Sequence, residues 1–97
     1  MNAGNRDVTV RFFASIKEIF GQKEAAVASD QAPTVGKALR QVCTTPERER
    51  GIFLDGYTLR SDLIVLVNGR NVFFLGGLAA TLHDGDVVSI FPPVKGG

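Results

Sequence analysis

Hydrophobic and polar residues alternate at the start of the chain, with Val8, Val10 and Phe12 on one side and Thr9, Arg11 and Phe13 on the other. Successive side chains of a strand point to opposite faces, so the alternation predicts a first strand with its Val8/Val10/Phe12 face buried. The period then changes. Ile16, Ile19 and Phe20 have helical spacing and Gly21 follows, which predicts a short helical segment over 14–21 closed by the glycine. Residues 23–29 read as a weaker, alanine-rich strand at or near an edge, returning beside the first. Thr34 stands where an N-cap belongs, ahead of Val35, Leu39, Val42 and Cys43 at i, i+4, i+7 and i+8. That stripe predicts the main helix, with Lys37, Arg40 and Gln41 toward water. Pro46 opens a second short helix through the charge run 47–50, read as a solvated face, and residues 51–57 read as a partly buried loop.

The second half is more strand-like. Leu63-Ile64-Val65-Leu66-Val67 is an unbroken apolar run, which predicts a strand buried on both faces at the centre of the sheet. Asn68-Gly69 predicts a hairpin turn, because both residues tolerate φ > 0, and 70–74 then form the short return. Residues 75–82 read as a loop or single turn. Gly76-Gly77 lack the following Lys-Ser/Thr of a phosphate loop, so they read as turn glycines. Residues 83–86 form another turn, leading into a last strand that ends at Phe91. Two strands, a main helix and three returning strands, with small helical inserts, predict an α+β roll: a sheet packed on one helix. The expected organisation is a flexible 1–6, a domain over 7–91 and a tail over 92–97.

Composition narrows the function classes. Ninety-seven residues at 44% hydrophobic and 22% charged are enough for one ordinary globular domain with its own core. A net charge of +1 without Lys/Arg runs gives no footprint for direct nucleic-acid binding. No apolar stretch approaches the ~20 residues of a membrane span, no signal peptide is visible, and the lone Cys43 fits a reducing compartment. A cytoplasmic location is therefore expected, with no membrane partner. One His, one Cys and one Tyr, without HxxxH, CxxC or GxGxxG, leave no metal site, no bound cofactor and no catalytic residue to name. Cys43 belongs to the core stripe and His83 to a polar turn.

The chemistry is expected at the end of the sequence, Phe91-Pro92-Pro93-Val94-Lys95-Gly96-Gly97. Proline has no N–H to donate, so Pro92 and Pro93 stop the sheet ladder and send the chain outward. Six residues beyond Phe91 reach roughly 20 Å. Gly96 and Gly97 lack Cβ and fit a channel closed to other residues, which suits insertion into another protein's active site with the Gly97 carboxylate as the reacting group. Beside that tail, alternation turns Phe13 and Phe91 away from the helix, onto a partly polar sheet face. Exposed apolar clusters mark interfaces, so the pair is a candidate partner-binding surface, with Arg11, Arg70 and Lys95 available for acidic groups.

Several motifs then combine. Val10-Arg11-Phe12-Phe13-Ala14, Thr34-Val35-Gly36, Val67-Asn68-Gly69-Arg70, Asp84-Gly85-Asp86 and Phe91-Pro92-Pro93-Val94-x-Gly96-Gly97 occur in this order across the chain. In this the chain resembles the ubiquitin-like MoaD/ThiS family of β-grasp sulfur carriers. The similarity is greatest to molybdopterin synthase small subunits and small archaeal modifier proteins, and less at the Phe-Pro-Pro-Val ending to the thiamine-pathway carriers.

The resemblance implies a β-grasp (ubiquitin-like) roll, a mixed sheet of four to five strands on one main helix. It implies a covalent carrier rather than an enzyme. A separate E1-like adenylating enzyme would consume ATP to adenylate Gly97. Sulfur would then replace AMP to give a thiocarboxylate, or a lysine of a target protein would attack to give an isopeptide bond. The first outcome serves molybdenum cofactor biosynthesis, with the molybdopterin synthase large subunit as partner, or tRNA thiolation; the second is protein conjugation. The resemblance also places Phe13 and Phe91 in the hydrophobic patch that meets these partners. The position of Asn71 is typically apolar in the molybdopterin carrier, which would shift or shrink the patch here. The longer loop over 73–81 and the 53–56 segment lean toward the archaeal type, favouring a carrier that also modifies proteins over a dedicated synthase subunit.

Overall fold

The computed structural model describes residues 7–56 and 58–93. Its five strands are β1 (Asp7–Phe12), β2 (Glu24–Ala28), β3 (Ile64–Val67), β4 (Arg70–Asn71) and β5 (Val87–Phe91), joined in one sheet in the order β2-β1-β5-β3-β4. β5 is central, parallel to β1 and antiparallel to β3. Three helices, α1 (Ala14–Phe20), α2 (Val35–Val42) and α3 (Pro46–Ile52), complete the α+β β-grasp roll that the sequence led one to expect. Residues 1–6, Tyr57 and 94–97, including the expected flexible start and the tail glycines, lie outside the described residues.

One core joins the layers. Val8, Val10 and Phe12 from β1, Val88 and Ile90 from β5, and Val65 and Val67 from β3 are buried with Val35, Ala38, Leu39 and Val42 of α2. Phe12 stacks on Phe20 of α1, ring centroids 4.1 Å apart. The helix ends form where the side chains dictate. The Lys37 N–H donates to Thr34 Oγ1 at 3.2 Å, and the Arg48 N–H to Thr45 Oγ1 at 3.2 Å, satisfying donors that have no partner within the helix. Asn68, at φ 50°, and Gly69, at φ 87°, make the β3–β4 turn. The Asn68 amide also holds the start of β5: it donates to Asp86 Oδ1 and accepts from the Val87 N–H, both at 2.9 Å.

Four expectations need correction. β3 is not the central strand and is buried on one face only: Val65 and Val67 are inside, while Ile64 is 39% exposed and Leu66 half-buried. The apolar run thus reflects an outer sheet face that is apolar without being covered. The return strand is Arg70–Asn71 alone. The Asn71 side chain accepts from the Phe73 N–H at 2.9 Å and draws the chain into a 3-10 turn, Val72–Leu75. Residues 51–57 are more than a loop, since Ile52 ends α3 and Phe53 follows it, both buried in the core. Nor do the arginines simply face water. Arg48 donates to the Phe20 carbonyl at 3.0 Å and to Thr44 Oγ1 at 2.9 Å. Arg40 lies 4.3 Å from the centroid of the Phe53 ring and pairs with Glu49 at 3.7 Å. Long stems let the charged heads stay wet while the planar groups cover aromatic rings.

Candidate functional site

The outer face of the sheet can be built row by row from the strand register. Arg11 is level with Ser89, Ser89 with Leu66, and Leu66 with Asn71. In the next row Phe91 is level with Ile64. Residues paired across a ladder share a face, so all of these stand opposite the core. Phe13 extends the row: its ring stacks on Phe91 with centroids 4.3 Å apart and 13° between planes.

Phe13 reaches this position because the chain runs one residue beyond β1 before turning. The Phe13 N–H donates to the Ile90 carbonyl at 3.2 Å, keeping Phe13 extended beside β5. Ala14 then takes φ 53° and starts α1. A left-handed alanine costs about 1–2 kcal/mol, a local strain that fixes where the Phe13 ring emerges.

Arg11, Phe13, Phe91 and Asn71, each singled out from sequence, therefore lie on one surface. Arg11 is shared between two neighbours: its guanidinium lies 5.6 Å from the Phe13 ring centroid and its Nε 3.8 Å from Glu24 Oε1. Both side chains of that pair are half exposed, so it contributes little to stability. Asn71 is half-buried, its Oδ1 engaged by the Phe73 N–H. Ile64 and Leu66, which sequence reasoning assigned to the core, fill the face between Asn71 and the aromatic pair. Their alternation with Val65 and Val67 was the available signal. Pro92, half-buried, and Pro93, exposed, leave the sheet directly after Phe91. Lys95, Gly96 and Gly97 lie outside the described residues, and Arg70 is exposed on β4.

Cys43 and His83 lie away from this face. Cys43 caps α2, half-buried, with Sγ 3.7 Å from the Arg48 carbonyl. Burial pushes its thiol up to about 11, partly opposed by the positive charges of Arg40 and Arg48, so it is protonated and unreactive at neutral pH. His83 is exposed in its turn, and its backbone N–H donates to Asp86 Oδ2 at 2.8 Å. Among the described residues no group of three or more His, Cys, Asp or Glu could hold a metal ion. What the face offers is a partly apolar surface, with Phe13, Phe91, Ile64 and Leu66 beside Arg11, Ser89 and Asn71, where the chain leaves β5.

Known proteins carry the same organisation. The small archaeal modifier protein 3 of Haloferax volcanii is 40% identical over 91 residues, covering 94% of this chain and 99% of that protein. The molybdopterin synthase sulfur carrier subunit of Escherichia coli is 37% identical over 90 residues, covering 93% and 99%. The solution structure of small archaeal modifier protein 1 from Methanosarcina acetivorans superposes with a TM-score of 0.82 at 29% identity, covering 98% of this chain and 100% of that one. The ThiS family model matches residues 10–97, a span that takes in the outer face, the double proline and Gly96-Gly97. The chain belongs to the ThiS family.

Proposed function

We propose that this chain is a ubiquitin-like protein modifier and sulfur carrier, activated at Gly97 by an E1-like adenylating enzyme that docks on the outer sheet face. The observation that carries this reading is the stacked Phe13–Phe91 pair, flanked by Ile64, standing where the chain leaves β5 through Pro92-Pro93. A carboxylate is a poor electrophile, so activation falls to the partner. A Gly97 carboxylate oxygen attacks the α-phosphorus of ATP, releasing pyrophosphate and leaving an acyl-adenylate. Sulfide then attacks the acyl carbon and AMP leaves, giving the thiocarboxylate. If a target lysine amine attacks instead, AMP leaves, a proton goes to solvent, and an isopeptide bond forms. ATP is consumed on the partner, and the carrier itself needs no bound cofactor. A cytoplasmic location fits these partners; among the described residues no helix is long and apolar enough to cross a membrane.

A second reading is favoured by the likeness to the E. coli sulfur carrier subunit. In it the chain serves only the large subunit of molybdopterin synthase and modifies no protein. Two mass measurements separate the readings. Incubation with the adenylating enzyme, ATP and sulfide should raise the intact mass by about 16 Da, oxygen replaced by sulfur at Gly97. Trypsin cuts after Lys95, so any modified lysine in the source cell should carry a Gly-Gly remnant that disappears when Gly97 is deleted. Mass gain without remnants selects the dedicated carrier; neither signal defeats both.

A further inference from the structure

Two phenylalanines stand outside the docking face described above. Phe73 and Phe74 are 64% and 87% exposed, in the 3-10 turn Val72–Leu75. Scattered surface apolars are ordinary, but adjacent exposed phenylalanines on a constrained turn are not. This turn is pinned at both ends. Val72 beneath it is buried in the core, and the Asn71 side chain accepts from the Phe73 N–H. Gly76, at φ 108°, closes it with its own N–H on the Val72 carbonyl. The rings are presented by a built element.

Its place follows from the register. β4 runs antiparallel to β3, with Arg70 level with Val67 and Asn71 with Leu66. Two residues further in that direction is the level of Ile64, which is also the level of Phe91. The turn therefore lies at the end of the sheet where the chain leaves β5, two strand spacings or about 10 Å to the side. Phe13, Phe91 and the 39% exposed Ile64 line that end of the sheet, and the turn that carries Phe73 and Phe74 follows β4 beside it. Gly97 lies four residues past Pro93, no more than about 14 Å of extended chain. A protein gripping Gly97 must come near this end of the sheet.

We propose that the Val72–Leu75 turn is a second docking element, whose phenylalanines insert into an apolar cleft on the adenylating enzyme that activates Gly97. The proposal rests on the docking reading given above. Strand addition is not what this edge offers, because β4 has two residues and carries an exposed Arg70. A second copy seated on the turn would crowd Ile64 and the tail, whereas the activating enzyme must approach them in every route.

The test is ATP–pyrophosphate exchange by the adenylating enzyme encoded in the same genome, with KM and kcat measured for the carrier. Phe73→Ser/Phe74→Ser should raise KM about tenfold or more and change kcat little. Leu54→Ser, which removes a side chain as exposed as that of Phe73, two residues past α3, should leave both unchanged. Phe91→Ala is the reference for the primary face. An unchanged KM for the double variant beside a raised KM for Phe91→Ala overturns this inference and leaves the docking reading standing. Unchanged KM for both overturns the docking reading as well. A wild-type dimer by light scattering that the double variant converts to monomer, with KM unchanged, makes the turn a self-association surface and also overturns it. If the double variant loses its unfolding midpoint, Phe74→Ser alone must show the raised KM.

Discussion

Phe91→Ala should separate folding from docking. The ring is half-buried, stacked on Phe13 at 4.3 Å and open to solvent beyond it, so its removal leaves no sealed cavity. Truncating a fully buried phenylalanine costs about 3–5 kcal/mol, and a stacked aromatic pair contributes about 0.5–1.5. For this half-buried ring about 1–2 kcal/mol is expected, lowering the melting temperature of a domain this size by roughly 4–15 °C. A central aromatic at an interface contributes at least about 2 kcal/mol, so affinity for the adenylating enzyme should fall about 30-fold. Phe12→Ala is the internal contrast: that ring is core, stacked on Phe20, and should cost about 3–5 kcal/mol of stability. Urea unfolding gives the first quantity and titration calorimetry with the enzyme the second. A folded Phe91→Ala protein that binds within about threefold of wild type would refute the placement of the interface.

Other outcomes test the frame beneath the face. Asn68→Ala should cost about 2 kcal/mol in urea unfolding, losing two hydrogen bonds and forcing alanine to φ 50°; Asn68→Gly should recover the backbone part alone. Arg48→Ala should cost about 1–2 kcal/mol because the Phe20 carbonyl loses its donor, and Arg48→Lys should rescue only partly, since an ammonium lacks the planar fork with which the guanidinium reaches Phe20 and Thr44 from separate nitrogens. Cys43 should contribute alkaline sensitivity. Burial raises its folded thiol from 9.0 to about 11, so the unfolded chain gives up that proton first. Its contribution is full below the unfolded value and is lost as pH rises through the interval between the two. Cys43→Ala should flatten the decline in unfolding midpoint between pH 9 and 11; an unchanged slope would contradict the burial.

Much of this was legible because burial imposes a period. Val8, Val10 and Phe12 alternate since one face of β1 meets the core, and Val35, Leu39 and Val42 repeat with the helix because one side of α2 does. The Phe13–Phe91 juxtaposition followed from the same alternation carried to the strand ends. Ile64 and Leu66 were misplaced for a physical reason. On β3 the face covered by the helix and the face left uncovered are both apolar, and composition does not distinguish them. The Val72–Leu75 turn was missed because local hydrogen bonds set it, from the Phe73 N–H to Asn71 and from the Gly76 N–H to Val72, contacts without periodicity. Arg40 and Arg48 were read as solvent-facing because charge suggests water, while their long stems let them lie over Phe53 and Phe20.

In the proposed function, activation at Gly97 is the step on which both the carrier and the modifier roles depend. It is measured by the pyrophosphate exchange that the adenylating enzyme catalyses with ATP, in the presence of the full chain or of the chain lacking Gly97. Exchange should appear with the full chain and fall to background without Gly97, although both proteins keep the same fold and the same outer face. Equal exchange with both, or none with either, would contradict the account.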